Sequence, residues 1–415
     1  MARGRRSSML TAIDIGTDSV RCVIAEPTEA GLDIIGVGKS KSTGLKRGVV
    51  INIESTVSAI RGAVEAAELM AGREVQEAYC SITGSHIAGR NLSGVVAVRN
   101  NEVRPDDVAR VLKAARAVRM TEGRDCVHVL PVEYAVDDIH ELASPLGIAG
   151  VRLEAKVHMI TAAKTAMDNI VTCCNREGIK VAGLIFSPLA AAETMLHPDE
   201  KELGVILADI GAGTTDFSVW FNGGVIQTGV VNIGGKLISD EIAVALRSPR
   251  GEAEQMKIKY GCAMSQLVDE DDTIEVPAVG GRKPQQKKRS YLAEVIEPGL
   301  EEIFTSIGEQ IRRAGHEEHV SSGLVLTGGT ARMSGIDELA EQILGIPVRT
   351  GEMRESEAGF GGVTNAVQDP TFAVAVGMVK LAARDRQVVE PSNAPTTRTP
   401  WYYRFKEWVK EAFVD

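Results

Sequence analysis

Asp14, Gly16 and Thr17, in the stretch MLTAIDIGTDSVRCVIAE from Met9 to Glu26, recur as Asp209, Gly211, Gly213, Thr214 and Thr215 in GVILADIGAGTTDFSVWF from Gly204 to Phe221. The combination suits phosphate chemistry. Bare glycine backbone brings N–H donors close to a phosphate without a Cβ clash. Thr17, Thr214 and Thr215 add hydroxyls, and an aspartate at a strand end can hold the water shell of Mg²⁺. Two such turns facing each other would clamp a triphosphate between two lobes. GAGTT is a poor dinucleotide fingerprint: Asp216 stands where the last glycine should be, and FSVWF continues as an alternating strand instead of opening a helix. A third element, GLVLTGGTARMSGIDELAEQIL, runs an apolar strand into Gly328 and Gly329 and then an amphipathic helix. A glycine pair there leaves room for an adenine and ribose.

The elements that must position these turns are legible from periodicity. Each turn joins an apolar strand to a second strand with alternating apolar residues, so the chain carries a duplicated hairpin. Between the copies, STVSAIRGAVEAAELMAG reads as a helix with a start signal at Ser55 and Thr56 and a stop at Gly72. DDVARVLKAARAV is a second helix, opened by Pro105 with acids in its first turn. SGVVAVRN, CVHVLPVEYAV and VRLEAKVHMI read as strands around it, so residues 86–160 form an inserted α+β unit. After the second hairpin, a helix near LISDEIAVAL precedes a loop-rich stretch from Gly261 to Ser290 that holds acidic DEDD and basic GRKPQQKKR. The helical AEVIEPGLEEIFTSIGEQIRRAG leads into GLVLTGG, and the last helix ends near Arg384. Residues 385–400 have a linker composition.

Hairpin, second hairpin, then strand, glycine pair and helix, in that order, resembles the actin, heat-shock chaperone and sugar kinase superfamily. The resemblance implies an actin-like, two-lobed, ribonuclease-H-like α/β ATPase fold binding ATP with Mg²⁺. It adds Gly234 and Gly235 to the nucleotide set and makes Glu254 and Lys257 of GEAEQMKIKYG the adenosine contacts, although a solvated charged helix face is an open alternative for that pair. In relatives the strand-to-helix connection carries a glutamate that orients water; the matching SPLAAAETML has Ser187 there. Tight ATP binding with at most slow hydrolysis is the expectation.

SITGSHIAG, FSPLAAAETML, KIKYGCAMSQLV, IEVPAVGGR, LAEVIEP and the aromatic tail narrow the resemblance to the FtsA family of actin-like proteins over nearly the whole chain. The likeness implies a subdomain from 8–85 with 161–198, the insertion 86–160, a second lobe from 199–240 with 300–384, and a subdomain at 241–299. It further implies self-association into filaments through the insertion, binding of the C-terminal peptide of the tubulin-like FtsZ at 241–299, and other division proteins as partners. It places the protein peripherally on the cytoplasmic face of the bacterial inner membrane, at the division site. Arg282, Lys283, Lys287, Lys288 and Arg289 would suit an acidic peptide, or are simply a solvated loop. Many relatives carry an arginine after LAEVIEP, where this chain has Gly299, so that contact is absent or replaced.

Residues 401–415 close the chain as an amphipathic helix, with Trp401, Tyr402, Phe405, Trp408, Val409 and Phe413 on one face. This is a membrane-surface signature, and with its charges balanced, attachment should rest on apolar burial. A net charge of −10 argues against nucleic acid as a partner. Six cysteines without a CxxC spacing point to a reducing compartment, and Cys173 and Cys174 read as core. His316 and His319 are two potential ligands without two more, so a solvated loop is expected. A PilM-type pilus scaffold and a small-molecule kinase are the rival readings; too little chain follows the ATPase unit for a chaperone's substrate domain.

Overall fold

The structure, a computed structural model, describes residues 9–29, 31–117, 121–353 and 360–389. The chain opens with the meander β1 (Leu10–Ile15), β2 (Ser19–Thr28) and β3 (Gly31–Lys41), then a two-residue hairpin of β4 (Leu45–Lys46) and β5 (Val49–Val50). Helix α1 (Ile53–Ala71) starts one cap earlier than the Ser55–Thr56 signal: Asn52 is its N-cap, and its side chain accepts from the Ser55 amide at 3.0 Å. Gly72 ends it in the left-handed conformation, as expected. β6 (Glu77–Ile82) returns parallel to β1.

The insertion is β7 (Ala88–Ala97), α2 (Pro105–Arg116), β8 (Arg124–Val136), β9 (Ile139–Leu142) and β10 (Arg152–Ala163), forming a four-stranded sheet ordered β7-β10-β8-β9. Val103, Val108, Val111, Tyr134, Leu153 and Val157 give it a separate core. The chain returns through α3 (Lys164–Arg176), β11 (Lys180–Phe186), α4 (Ser187–Met195) and α5 (Pro198–Leu203), and there crosses to the second lobe.

That lobe repeats the first. β12 (Val205–Ile210), β13 (Thr215–Phe221) and β14 (Gly224–Val231) are an antiparallel meander. α6 (Gly235–Ala245) and α7 (Arg250–Tyr260) follow. Within the stretch expected to be loop lies a short hairpin, β15 (Thr273–Val276) with β16 (Gln285–Lys288). α8 (Arg289–Ala314) begins earlier than the LAEVIEP reading implied and carries Pro298 inside it. β17 (Leu324–Thr327), α9 (Ile336–Leu344) and β18 (Val348–Thr350) complete the lobe; β19 (Phe360–Gly362) and α10 (Ala373–Val389) return to the first. Helix α10 thus runs into residues 385–389, which composition had assigned to the linker.

The two large sheets share a five-strand topology, to which β19 adds a sixth strand beside β3 in the first. In the first, β3-β2-β1 continues into parallel β6 and β11; in the second, β14-β13-β12 continues into parallel β17 and β18. The apolar pattern of each hairpin therefore buries both faces, and each lobe has its own core. The insertion docks on the second lobe through polar contacts. His158 Nδ1 lies 2.5 Å from Asn91 Oδ1 and Nε2 lies 2.8 Å from Thr228 Oγ1 of β14, while Asn91 Nδ2 donates to the Ile226 carbonyl. An amide oxygen only accepts, so the ring proton sits on Nδ1 and Nε2 accepts from Thr228.

Two expectations follow. A Cβ on Gly377 of α10 would lie 1.8 Å from the Ala190 carbonyl oxygen of α4, whereas one on Gly251 of α7 would meet nothing within 4 Å. Gly377→Val should cost about 3 kcal/mol or more in denaturant unfolding, against a change below about 1 kcal/mol for Gly251→Ala. Burial, reinforced by His316, also lowers the His158 pKa to about 4. A depressed histidine pKa contributes stability above its unfolded value that is lost as pH falls through the folded one. Protease sensitivity of the insertion should therefore rise between pH 6.5 and 4, and His158→Gln should flatten that dependence.

Candidate nucleotide site

Register places four residues at equivalent points of the two hairpins. Asp14 of β1 lies opposite Arg21 of β2, and Asp209 of β12 lies opposite Asp216 of β13. The first pair is of opposite charge, joined by a 3.4 Å bond from Arg21 Nη1 to Asp14 Oδ2. Ser81 at the end of β6 donates to Asp14 Oδ1 at 2.8 Å and accepts from the Ile15 amide, so the carboxylate has a fixed seat. Burial nevertheless leaves the Asp14 pKa raised.

The second pair is of like charge, an arrangement that destabilises a sheet unless something compensates. Burial first, then Asp216 and Asp14, push Asp209 up to about 7; burial also raises Asp216 to about 6. Asp216 Oδ2 accepts from Thr214 at 2.8 Å and from Thr83 at the end of β6, which crosses from the first lobe. Its other oxygen is buried with no partner among the described residues. Two buried carboxylates, Asp14 and Asp216, the latter with an orphaned oxygen, and the half-buried Asp209 fit the water shell of a hydrated divalent cation, since Mg²⁺ keeps several of its waters in sites of this kind.

The two turns approach each other. A Cβ on Gly213 would lie 2.5 Å from Thr17 Oγ1, so the second turn admits only glycine there. Thr17 Oγ1 accepts from the Gly48 amide at 3.1 Å and keeps its proton for a ligand. The other two threonines do not: Thr214 donates to Asp216, and Thr215, fully buried, donates to the Ile233 carbonyl at 3.0 Å. Neither hydroxyl proton is therefore free for a phosphate in this arrangement. Gly235 and Lys236 amides bond the Gly211 and Ala212 carbonyls at 2.9 Å, tying the turn to the first residues of α6, where Gly234 is the cap.

Glu254 and Lys257 form an ion pair at 2.9 Å. Lys257 also donates to the Gly235 carbonyl at 2.7 Å and to Ser239 at 2.8 Å, so its three protons are committed. Glu254, more exposed, is the member of the pair open to a ribose. Gly328, at φ +92, packs its bare Cα against Asp209, where a Cβ would lie 2.4 Å from Oδ1. Only Gly329 offers space, its nearest neighbour being the Thr371 methyl at 3.8 Å. Ser187 is buried and turned toward the Ile82 carbonyl at 3.5 Å.

Arg21, Ser81, Thr83 and Asp216 are site residues that the motif reading missed as such. The signal was present for two of them: Asp216 follows Asp209 by the same interval as Arg21 follows Asp14.

On 241–299, Arg282, Lys283, Lys287 and Lys288 are exposed around the β15–β16 hairpin. Arg289 stands apart, bonded to the Tyr260 carbonyl at 2.8 Å and to Asp272 at 3.0 Å, which removes it from a free docking face. Gly299 is buried, and a Cβ there would lie 3.0 Å from Ile238, so the glycine brings α8 onto α6. The six cysteines are buried and free, Cys173 and Cys174 included. His316 and His319 stack edge to face, and no cluster of three or more His, Cys, Asp or Glu placed to ligate a metal ion directly occurs among the described residues. The tail residues Trp401, Tyr402, Phe405, Trp408, Val409 and Phe413 lie outside the described residues. No described helix is long and apolar enough to cross a membrane.

Solved structures share this architecture at low identity. A chain of the PilM–PilN type IV pilus biogenesis complex has a TM-score of 0.64 at 15% identity, covering 93% of this chain and all of that one. MreB5 of Spiroplasma citri, solved with ADP, gives 0.57 at 13%, covering 94% and 100%. Both likenesses are of fold alone. A family model for cell division protein FtsA matches residues 206–377, and one for the SHS2 domain inserted in FtsA matches 84–161. Cell division protein FtsA of Pseudomonas aeruginosa is 41% identical over the full length of both chains, and that of Escherichia coli K12 is 34% identical, also end to end. The Bacillus subtilis protein of that name is 35% identical over 92% of this chain and 85% of its own. With its duplicated lobes and inserted unit, the chain belongs to the FtsA family.

Proposed function

We propose that the protein binds ATP with Mg²⁺ between its lobes, and that this ATP-bound form assembles into actin-like filaments that tether FtsZ to the cytoplasmic membrane at the division site. Asp209 opposite Asp216 carries the nucleotide part: two acids facing each other, one of them buried with an unpartnered oxygen, call for a cation, and the surrounding glycine turns suit the phosphates that would bring one. Asp14, Gly16, Thr17, Gly211, Gly213, Gly235 and Gly329 complete the set, with Glu254 toward the sugar. No glutamate replaces Ser187 at the turn into α4, which favours holding ATP over rapid turnover.

The membrane and partner parts rest on sequence and family. The aromatic face of residues 401–415 suits an interface in which apolar burial dominates. On 241–299, exposed Val244, Ile258, Leu267 and Val279 accompany the basic hairpin, a mixture that fits an acidic, apolar peptide such as the FtsZ C-terminus. A pilus scaffold would share the fold without these features.

The carboxylate pair makes the nucleotide reading testable by pH. An aspartate whose folded pKa is raised costs the nucleotide-free fold stability as pH climbs from about 4 toward 7, because only the unfolded chain ionises freely. Asp209→Asn should therefore raise the melting temperature of nucleotide-free protein at pH 7.5 while abolishing the further rise caused by Mg²⁺ and ATP. Wild-type affinity for the Mg²⁺-nucleotide, measured by calorimetry, should fall as pH drops from 7.5 to 5.5, with proton release on binding. A wild type whose melting point ignores Mg²⁺ and ATP would sink this reading. For the tether, co-sedimentation with liposomes and ATP should bring down FtsZ with the full chain and not with one stopped at Arg398; lipid binding without the tail, or FtsZ left in the supernatant, refutes it.

A further inference from the structure

Arg47 occupies a place where its residue type is disfavoured. It and Gly48 are the two tip residues of the β4–β5 hairpin, both left-handed, at φ +50 and +74. A two-residue turn of this shape takes Asn, Asp or Gly at its first position, and a long side chain is strained there. Strain of this kind, kept by a surrounding structure that over-determines it, is found where a side chain has work to do.

The tip lies where the two lobes meet. The Gly48 amide bonds Thr17 of the first turn, a Cβ on Gly213 of the second turn would lie 3.0 Å from the Arg47 Cα, and one on Gly84 would lie 3.0 Å from the Arg47 carbonyl oxygen. Arg47 therefore touches the first turn, the second turn and the segment after β6 through its own backbone or that of its neighbour. Its side chain is exposed and forms no hydrogen bond or ion pair among the described residues. Arg21, by contrast, is bonded to Asp14, and Lys257 is saturated.

The second turn also has a direction. Gly211 and Ala212 are tied to the start of α6, beside Lys257 and Glu254 at the sugar end; Gly213 is at the other end, against Arg47. A phosphate chain laid along that turn places its last phosphate at the hairpin tip. We propose that Arg47 is a recognition residue for the terminal phosphate of a nucleoside triphosphate, the group by which the protein distinguishes tri- from diphosphate. Arginine suits the task, with a planar fork of donors matched to phosphate oxygens and a charge that offsets the one the extra phosphate brings.

This rests on the nucleotide reading above, and the test separates the two. Arg47→Asn installs the residue the turn prefers, so the variant should melt, without nucleotide, at the wild-type temperature or above. Equilibrium competition for a fluorescent nucleotide in Mg²⁺, with a non-hydrolysable ATP analogue and with ADP, should show a loss of at least tenfold in affinity for the analogue and less than twofold for ADP. Arg47→Lys, keeping the charge without the fork, should fall between. An unchanged ratio of the two affinities in Arg47→Asn overturns the proposal, as does an equal loss of both, which would place Arg47 on the shared phosphates. Wild-type protein that binds neither nucleotide overturns the nucleotide reading itself and this one with it.

Discussion

Two carboxylates held face to face, Asp216 buried and Asp209 half-buried, set the terms for the rest of the molecule. Asp209 and Asp216 meet because β12 and β13 pair in a register that sets Ala208 against Phe217 and Ile210 against Thr215; slipping it by one residue would turn a whole strand's side chains to the opposite face of the sheet. The cost of burying them is met only in part inside the protein. Thr214 and Thr83 each give one hydrogen bond to Asp216, Gly328 offers Asp209 a seat without a Cβ, and one oxygen remains unanswered. Thr83 matters beyond its bond, because it belongs to the first lobe. The acid pair of one half is thus clasped from the other, so the contact between the lobes also answers part of the charge.

Duplication explains why the two halves look alike and act differently. Each lobe is a three-stranded meander extended by two parallel strands, and each presents an aspartate at the same point of its first hairpin. Opposite that aspartate the first lobe carries arginine and the second another acid. One substitution in the repeat separates a neutralised corner from one that requires a cation.

The hairpins, the insertion and the glycine pair were legible in the sequence because they rest on local physics: period-two alternation, helix caps and the confinement of tight turns to small residues. What was not legible depends on distant partners. Thr214 and Thr215 are hydroxyl donors by type, yet Thr215 spends its proton on Ile233 and Thr214 on Asp216, which only the folded register decides. Arg289 belongs to a basic run by composition but is bound to Asp272 and Tyr260 once the β15–β16 hairpin forms inside a stretch that reads as loop. Gly299 reads in the sequence only as a contact absent or replaced, and its packing role appears when α8 is seen lying on α6.

Helix α10 joins ends of the molecule that have different business. Just before its start, Phe372 lies 5.7 Å under the Arg21 guanidinium, beside the first aspartate; in its last turns Arg384 pairs with buried Glu193 of α4, and Lys380 donates to the Glu193 carbonyl. Between them Gly377 meets the Ala190 backbone with no side chain intervening. Two helices in such contact cannot slide or roll independently, since any shift drives backbone into backbone. Helix α4 opens the passage from one lobe to the other, and residues 390–415 depart from the far end of α10. The helix is therefore fastened to α4 along its length, and that fastening fixes the point, at Val389, from which the chain continues.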